Sequence, residues 1–262
     1  MTIFAEINAL EEQGKEAALC TVVRTQGSTP RRAGSKMLVY PDGRISGTIG
    51  GGEMESRVVQ VALEVLAENK ARLLEYSLND PTRGDPGVCG GQMEVFVEPI
   101  KPQSTVVVVG IGHVGRAVAD LAHWLGFRVV VSDDREELCT PEEVPHADVF
   151  QPGPLAELPA KLNLNAQTYV ILTTRNVKID AEGLPPILES AAGYIGVIGS
   201  KRRWETTRKK LQAQGVPDAQ IARVVSPIGL ELNAETPEEI AVSILAEIIM
   251  LRRGGDGVRM GI

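Results

Sequence analysis

The stretch VVVVGIGHVGRAVADLAHWLGFRVVVSDD, residues 106–134, decides how the chain is read. Four consecutive valines suit a strand buried on both faces. Gly110, Gly112 and Gly115 then lead into a segment whose apolar residues recur at helical spacing through Leu125. A second apolar run, Arg128 to Ser132, ends at Asp133, 23 residues after Gly110. Strand, glycine turn, helix and strand in that order make a βαβ unit of the Rossmann kind. Each glycine has its own task. Gly110 permits the turn, Gly112 lets a pyrophosphate approach the backbone, and Gly115 allows close helix packing, while the helix N-terminus favours an anion. Asp133 is placed to accept a hydrogen bond from a ribose hydroxyl.

Downstream the same alternation continues. Tyr169–Thr173 and Tyr194–Ile198 read as strands with helical stretches between them, which implies a parallel, doubly wound sheet. The run TPEEIAVSILAEIIMLRRGG closes the pattern, with Thr236 as N-cap, Pro237 as the first helical residue, Glu239 as the capping-box acid and Gly254 as the stop. Upstream the texture differs. Ala18–Thr25, Lys36–Tyr40 and Met93–Glu98 read as short strands, and YPDGR is a hairpin signal. Met54, Val58, Val61, Ala62, Val65 and Leu66 mark a helix over about 53–69 with one apolar face. The fold class is therefore α/β, a C-terminal Rossmann-like doubly wound parallel sheet preceded by a smaller α+β domain. The domains are 1–100 and 105–262, with the boundary in PIKPQS, 99–104.

Composition narrows the function. A chain of 262 residues with net charge −7 and pI near 5.2 lacks the basic excess that a nucleic-acid or membrane surface calls for. The N-terminal MTIFAEINALEEQGKE is acidic and has no long apolar core, so neither a signal peptide nor a spanning helix is expected there, and the cytoplasm is the expected compartment. Three scattered cysteines, Cys20, Cys89 and Cys139, give no paired zinc or disulfide pattern.

Three further signals lie in the first domain. TQGSTPRRAGSKMLV, 25–39, puts Arg31 and Arg32 in a turn after a strand, where guanidinium groups can grip a phosphate or carboxylate. ISGTIGGGEMES, 45–56, sets Gly50, Gly51 and Gly52 at a helix start, with amides that could face an anionic or flat ligand. No Lys-Ser or Lys-Thr follows, so a magnesium-dependent phosphate loop is not expected. DPTRGDPGVCGGQMEV, 80–95, holds Cys89 among glycines, in the setting of an accessible thiol or soft ligand. Cys20, in ALCTVV, reads as core, and the acidic neighbours of Cys139 disfavour a thiolate. The histidines His113, His123 and His146 read as turn, helix surface and loop. No nucleophile–base or acid–base pair emerges, so catalysis by the chain itself is not expected.

Taken together, GSTPRRAGSKMLV, DGRISGTIGGGEMES, VCGG, GIGHVGRAVADLA, YIGVIGSKRR and SPIGLELNAETPEEIAVSILAEII resemble the xanthine dehydrogenase accessory protein family, XdhC/CoxI, in order and over nearly the whole chain. The resemblance implies a cytoplasmic chaperone that binds molybdenum cofactor, as molybdopterin or its dinucleotide form. Such a chaperone assists sulfuration with a cysteine desulfurase and delivers the cofactor to a molybdenum hydroxylase apo-enzyme. It implies cofactor contacts at Arg31, Arg32, Gly50, Gly51, Gly52 and Cys89, with Gly110, Gly112, Gly115 and Asp133 for a nucleotide half. A homodimer is expected. Similar proteins often carry a histidine where this chain has Val177. The rival readings are an NAD(P)-dependent oxidoreductase and a nucleotide-sensing regulator, both using the Gly110–Gly115 crevice.

Overall fold

The computed structural model describes residues 2–79 and 90–261. The chain divides into two compact units, Met1–Pro102 and Gln103–Ile262.

The first unit runs α1 (Ile3–Gln13), β1 (Ala17–Gln26), β2 (Lys36–Val39), β3 (Ile45–Gly47), α2 (Gly52–Glu68), β4 (Arg72–Ser77) and β5 (Gln92–Ile100). Its strands form one antiparallel sheet in the order β3-β2-β1-β5-β4. Alternation along β1 sends Ala18, Cys20 and Val22 to the face covered by α2, where they meet Met54, Val58, Ala62 and Val65. Leu19 and Leu38 point the other way and pack with Leu10 of α1. The edge strands β3 and β4 carry no strand signal in the sequence. β3 has three residues, and β4 mixes Arg72 and Glu75 into an edge that water reaches.

The second unit runs β6 (Thr105–Val109), α3 (His113–Trp124), β7 (Arg128–Ser132), β8 (Val149–Phe150), α4 (Leu158–Lys161), β9 (Thr168–Leu172), α5 (Val177–Glu189), β10 (Tyr194–Val197), α6 (Lys201–Ala213), α7 (Asp218–Ile221), β11 (Val224–Val225) and α8 (Pro237–Arg253). The strands are parallel, in the order β11-β10-β9-β6-β7-β8. Strand order reverses between β6 and β9, and the expected Rossmann-like sheet is present. Val106 and Val108 face the layer of α3 and α8, whereas Val107 and Val109 face the layer that contains α5 and α6. Burial on both faces explains why four valines run together. The C-terminal helix closes as its sequence dictates: Thr236 and Glu239 form a reciprocal capping box, Pro237 is the first helical residue and Gly254 is the left-handed cap.

One polar tie fastens the ends of the central strands. Asp180, 0% exposed on α5, accepts from Arg203 of α6 at 2.7 Å and from the Thr174 hydroxyl, and Arg203 also donates to Thr174 at 2.9 Å. Removing one partner from such a pair strands a buried charge. Arg203→Met is predicted to destabilise the second unit by about 3 kcal/mol, and Arg203→Met with Asp180→Leu to recover part of that loss. Urea denaturation of both variants checks this; equal loss in single and double variants would mean that the pair is not the cause.

Candidate functional site

Three of the segments marked in the first unit meet at one end of its sheet. β1 leaves the sheet at Gln26 and returns as β2 at Lys36, and the connecting loop is pinned where Val22 receives from the Gly34 amide at 2.8 Å and donates to Ser35 at 2.9 Å. A methyl on Gly50 would lie 2.8 Å from Pro30 Cγ, so the arginine loop rests against the glycine triplet. A methyl on Gly91 would lie 2.2 Å from the Ser28 carbonyl, so the start of β5 abuts the same loop. Arg31 and Arg32 are exposed, and neither guanidinium pairs with any described residue. Cys89 lies outside the described residues.

The triplet is held from inside the fold. Glu55, in the first turns of α2, accepts from Thr48 Oγ1 at 2.6 Å and from the amides of Ile49 and Gly51 at 3.1 Å each, while Gly50 donates to Thr48 Oγ1 at 3.1 Å. The amides of Gly50 and Gly51 thus already have acceptors, which changes the role expected of them. What the triplet presents is bare space: among the described residues nothing lies within 4 Å of where a side chain at Gly51 or Gly52 would begin. Gly51 has φ 75° and ψ −178°, a region essentially closed to other residues. Burial raises the Glu55 pKa, but the bonds from Thr48 and from the Gly51 and Ile49 amides lower it further, and the net shift is downward.

In the second unit the three glycines of the β6–α3 turn take distinct positions. Gly110 has φ 96°, and a methyl there would stand 2.9 Å from the backbone of Thr173 and Thr174 at the end of β9. Around a methyl on Gly112 no described residue would lie within 4 Å, whereas one on Gly115 would meet the Gly110 carbonyl at 2.1 Å. Asp133 is 2% exposed and already engaged: Oδ2 accepts from the Ile111 amide at 2.6 Å, and Arg135 holds both oxygens at 2.9 Å. As placed, its carboxylate secures the turn and offers no free oxygen to a ribose. Beside it Asp134 takes both ends of the Arg175 guanidinium at 2.6 Å, and its pKa is lowered by that contact. These pairs leave a cavity of only about 10 Å³ among Gly110, Asp133, Arg135 and Arg175.

The other cysteines, His123 and His146 lie outside these turns, and His113 directly follows Gly112. Cys20 is 0% exposed, and burial, aided by Glu55, pushes its pKa up to about 12. Cys139 is buried beneath β7 with its thiol toward the Val131 carbonyl, and burial more than acidic neighbours raises its pKa. His113 opens α3 on the surface. His123 and His146 are exposed and stack at 5.0 Å, with His146 Nδ1 3.0 Å from Asp120. Among the described residues no group of three potential metal ligands occurs. Glu55, Thr48, Asp180 and Arg203 escaped the sequence reading. Glu55 had a visible signal, an acid four residues after the central glycine, where a carboxylate reaches amides at a helix start.

A parallel-sheet unit with a glycine-turn crevice, preceded by an antiparallel unit with an arginine and glycine site, defines the class. The XdhC Rossmann domain matches residues 106–248, and the XdhC and CoxI family matches residues 10–77. The chain belongs to the XdhC and CoxI family. It is 37% identical to the uncharacterized protein YqeB of Escherichia coli (strain K12) over 98% of this chain, yet it spans only 47% of YqeB. It is also similar to a probable xanthine dehydrogenase subunit of Bacillus subtilis (strain 168), 24% identical over 94% of this chain and 96% of that one. A third relative is the molybdenum cofactor insertion chaperone PaoD of Escherichia coli (strain K12), 23% identical over 91% and 84%. No helix among the described residues is long and apolar enough to cross a membrane.

The geometry of the turns sets how each should respond to pH and to substitution. Since ionised Glu55 is the form that accepts, its contribution is present above the ordinary glutamate pKa of about 4.3 and is lost as pH falls through its lowered folded value. Glu55→Gln should cost about 1–2 kcal/mol at neutral pH and flatten this acid limb, as read from denaturation over a pH series. Gly112→Ala should melt within a few degrees of the parent, while Gly115→Ala should lose about 2 kcal/mol through overpacking. Similar melting of the two variants would mean that the turn is not packed as described.

Proposed function

We propose that the chain is an accessory protein that binds molybdenum cofactor at the end of the first unit and delivers it to a molybdenum hydroxylase apo-enzyme. The observation that carries this reading is the meeting, through Pro30 and Gly50, of the loop that bears the exposed and unpaired Arg31 and Arg32 with a glycine triplet whose outer side no described residue covers. The chemistry fits the cofactor. Molybdopterin joins a flat pterin to a phosphate, and the two arginines supply charge and paired donors for the phosphate. A side-chain-free surface at Gly51 and Gly52 admits a flat ring against the backbone. The names of the relatives support the same role, one a molybdenum cofactor insertion chaperone and one a probable xanthine dehydrogenase subunit.

Within this proposal Cys89 handles the sulfur end of the cofactor, because Cys20 and Cys139 are buried with raised pKa values and poorly disposed to form thiolates. A cysteine desulfurase is the partner that supplies the sulfur, and the cytoplasm is the place of action. Gly110, Gly112 and Gly115 would serve the nucleotide half of a dinucleotide form, with Gly112 at the open position, while Asp133, expected from its position to meet a ribose, would act only by holding the turn through the Ile111 amide. Molybdopterin or its dinucleotide is the proposed ligand. NAD(P) is the weaker candidate, because the space beside Asp133 is about that of one water; the same limit weighs against the dinucleotide form of the cofactor and favours molybdopterin itself.

The test is direct. Purified protein is mixed with molybdopterin, and the retained ligand is measured by the fluorescence of its oxidised pterin. Arg31→Glu with Arg32→Glu is expected to reduce retention by roughly a hundredfold, since two charge-assisted contacts become repulsive. The same variant should fail to activate a cofactor-free hydroxylase. Undiminished retention would remove the arginines from the site, and steady hydride transfer from NADH or NADPH to a small molecule would replace the accessory role with an oxidoreductase.

A further inference from the structure

α8 has two faces. Ala241, Ile244, Leu245 and Ile248 are buried in the core that α8 shares with α3. On the outer side Glu238, Val242, Ala246, Ile249 and Arg253 follow one another at steps of four, four, three and four residues. At 3.6 residues per turn these five share a stripe roughly 80° wide. Val242 is 49% exposed and Ile249 38%, so the stripe holds apolar surface in water. Its ends carry opposite charges, and neither the Glu238 nor the Arg253 side chain pairs with any described residue.

This arrangement is complementary to itself. Let a second copy be turned by half a revolution about an axis through the midpoint between Leu245 and Ala246. Val242 then faces Ile249 of the other copy, and Glu238 faces Arg253, because each pair is equidistant from that midpoint. Both contacts occur twice, as an isologous twofold interface requires. Ala246, the small residue of the stripe, falls at the crossing, where helices approach to about 8 Å only if the side chains are small. The apolar surface also continues beyond the helix. A groove of about 580 Å³ runs between α3 and α8, with Ala117, Leu121 and Val242 in its walls.

We propose that the outer stripe of α8 joins two copies of this chain as an antiparallel helix pair about a twofold axis. The opposite charges choose the occupant: a parallel pairing would set Glu238 against Glu238 and Arg253 against Arg253. This inference is independent of the cofactor assigned to the first unit.

Sedimentation velocity of the full chain over the micromolar range tests it, with thermal melting as the folding control. The parent should dimerise with increasing concentration. Val242→Glu should weaken association by roughly a hundredfold, because it sets an unpaired charge in the apolar centre twice. Glu238→Arg and Arg253→Glu should each weaken it by roughly tenfold, and the double variant should return to within a few-fold of the parent. The two positions lie about 22 Å apart on one helix at 1.5 Å per residue, so rescue can come only from across the interface. A monomeric parent, a dimer indifferent to Val242→Glu, or a double variant as weak as the singles would each overturn the proposal. So would a Val242→Glu chain that keeps its oligomeric state but no longer activates a cofactor-free hydroxylase, which would give the face to that partner.

Discussion

A backbone turn stripped of side chains needs its amides satisfied from elsewhere, and both units meet this constraint with a carboxylate from a neighbouring residue of the chain. Glu55 reaches back from α2 to the amides of Ile49 and Gly51. Asp133, just beyond β7, reaches across to the amide of Ile111. In each case an acid holds glycines in a conformation that presents open space, at Gly51 and Gly52 in one unit and at Gly112 in the other. The acids also set a limit on what the turns can bind. An anion drawn toward these amides would meet a carboxylate that already occupies them, so attraction has to come from outside the turn. In the first unit Arg31 and Arg32 are suited to supply it.

Legibility followed the strength of the local signal. The parallel sheet could be read because burial on both faces forces apolar runs such as Val106–Val109, and because Gly110 and Gly115 have separate steric reasons to be glycine, a positive φ against the end of β9 and close contact with the Gly110 carbonyl. The C-terminal helix could be read from its capping box. By contrast β3 and β4 could not, since a three-residue edge strand and a charged one depend on their neighbours for order more than on their own composition. At the candidate site the sequence marked the arginines and the glycine triplet as separate loops. Their meeting rests on Pro30 against Gly50, a contact between positions with no periodic relation.

The side chains that brace those loops were the hidden part. Asp180 and Arg203 are 23 residues apart, on different helices, and each taken alone reads as an ordinary surface charge. Only the parallel order of β9 and β10 brings their helix starts together and buries the acid. Asp133 shows the converse. Its position predicted a free acceptor, but Arg135, two residues on, turns back on it and occupies both oxygens. A motif fixes where a carboxylate stands; its partners decide whether it is available.

The two ion pairs of the crevice differ in what it would take to part them. Asp134 and Arg175 are 37% and 44% exposed, so water can replace each partner and separation costs no more than about 1 kcal/mol. Asp133 is 1% exposed in the same measure and also holds the Ile111 amide, so withdrawal of Arg135 leaves a buried charge with less compensation. Any ligand that enters beside Gly112 therefore has an easier route through Arg175, whose guanidinium is freed to meet a phosphate as it leaves Asp134. Approach through Asp133 would have to break the bond that keeps the glycine turn in shape. Were an anion to enter this crevice, the unequal burial of two adjacent aspartates would make the Arg175 side the easier approach.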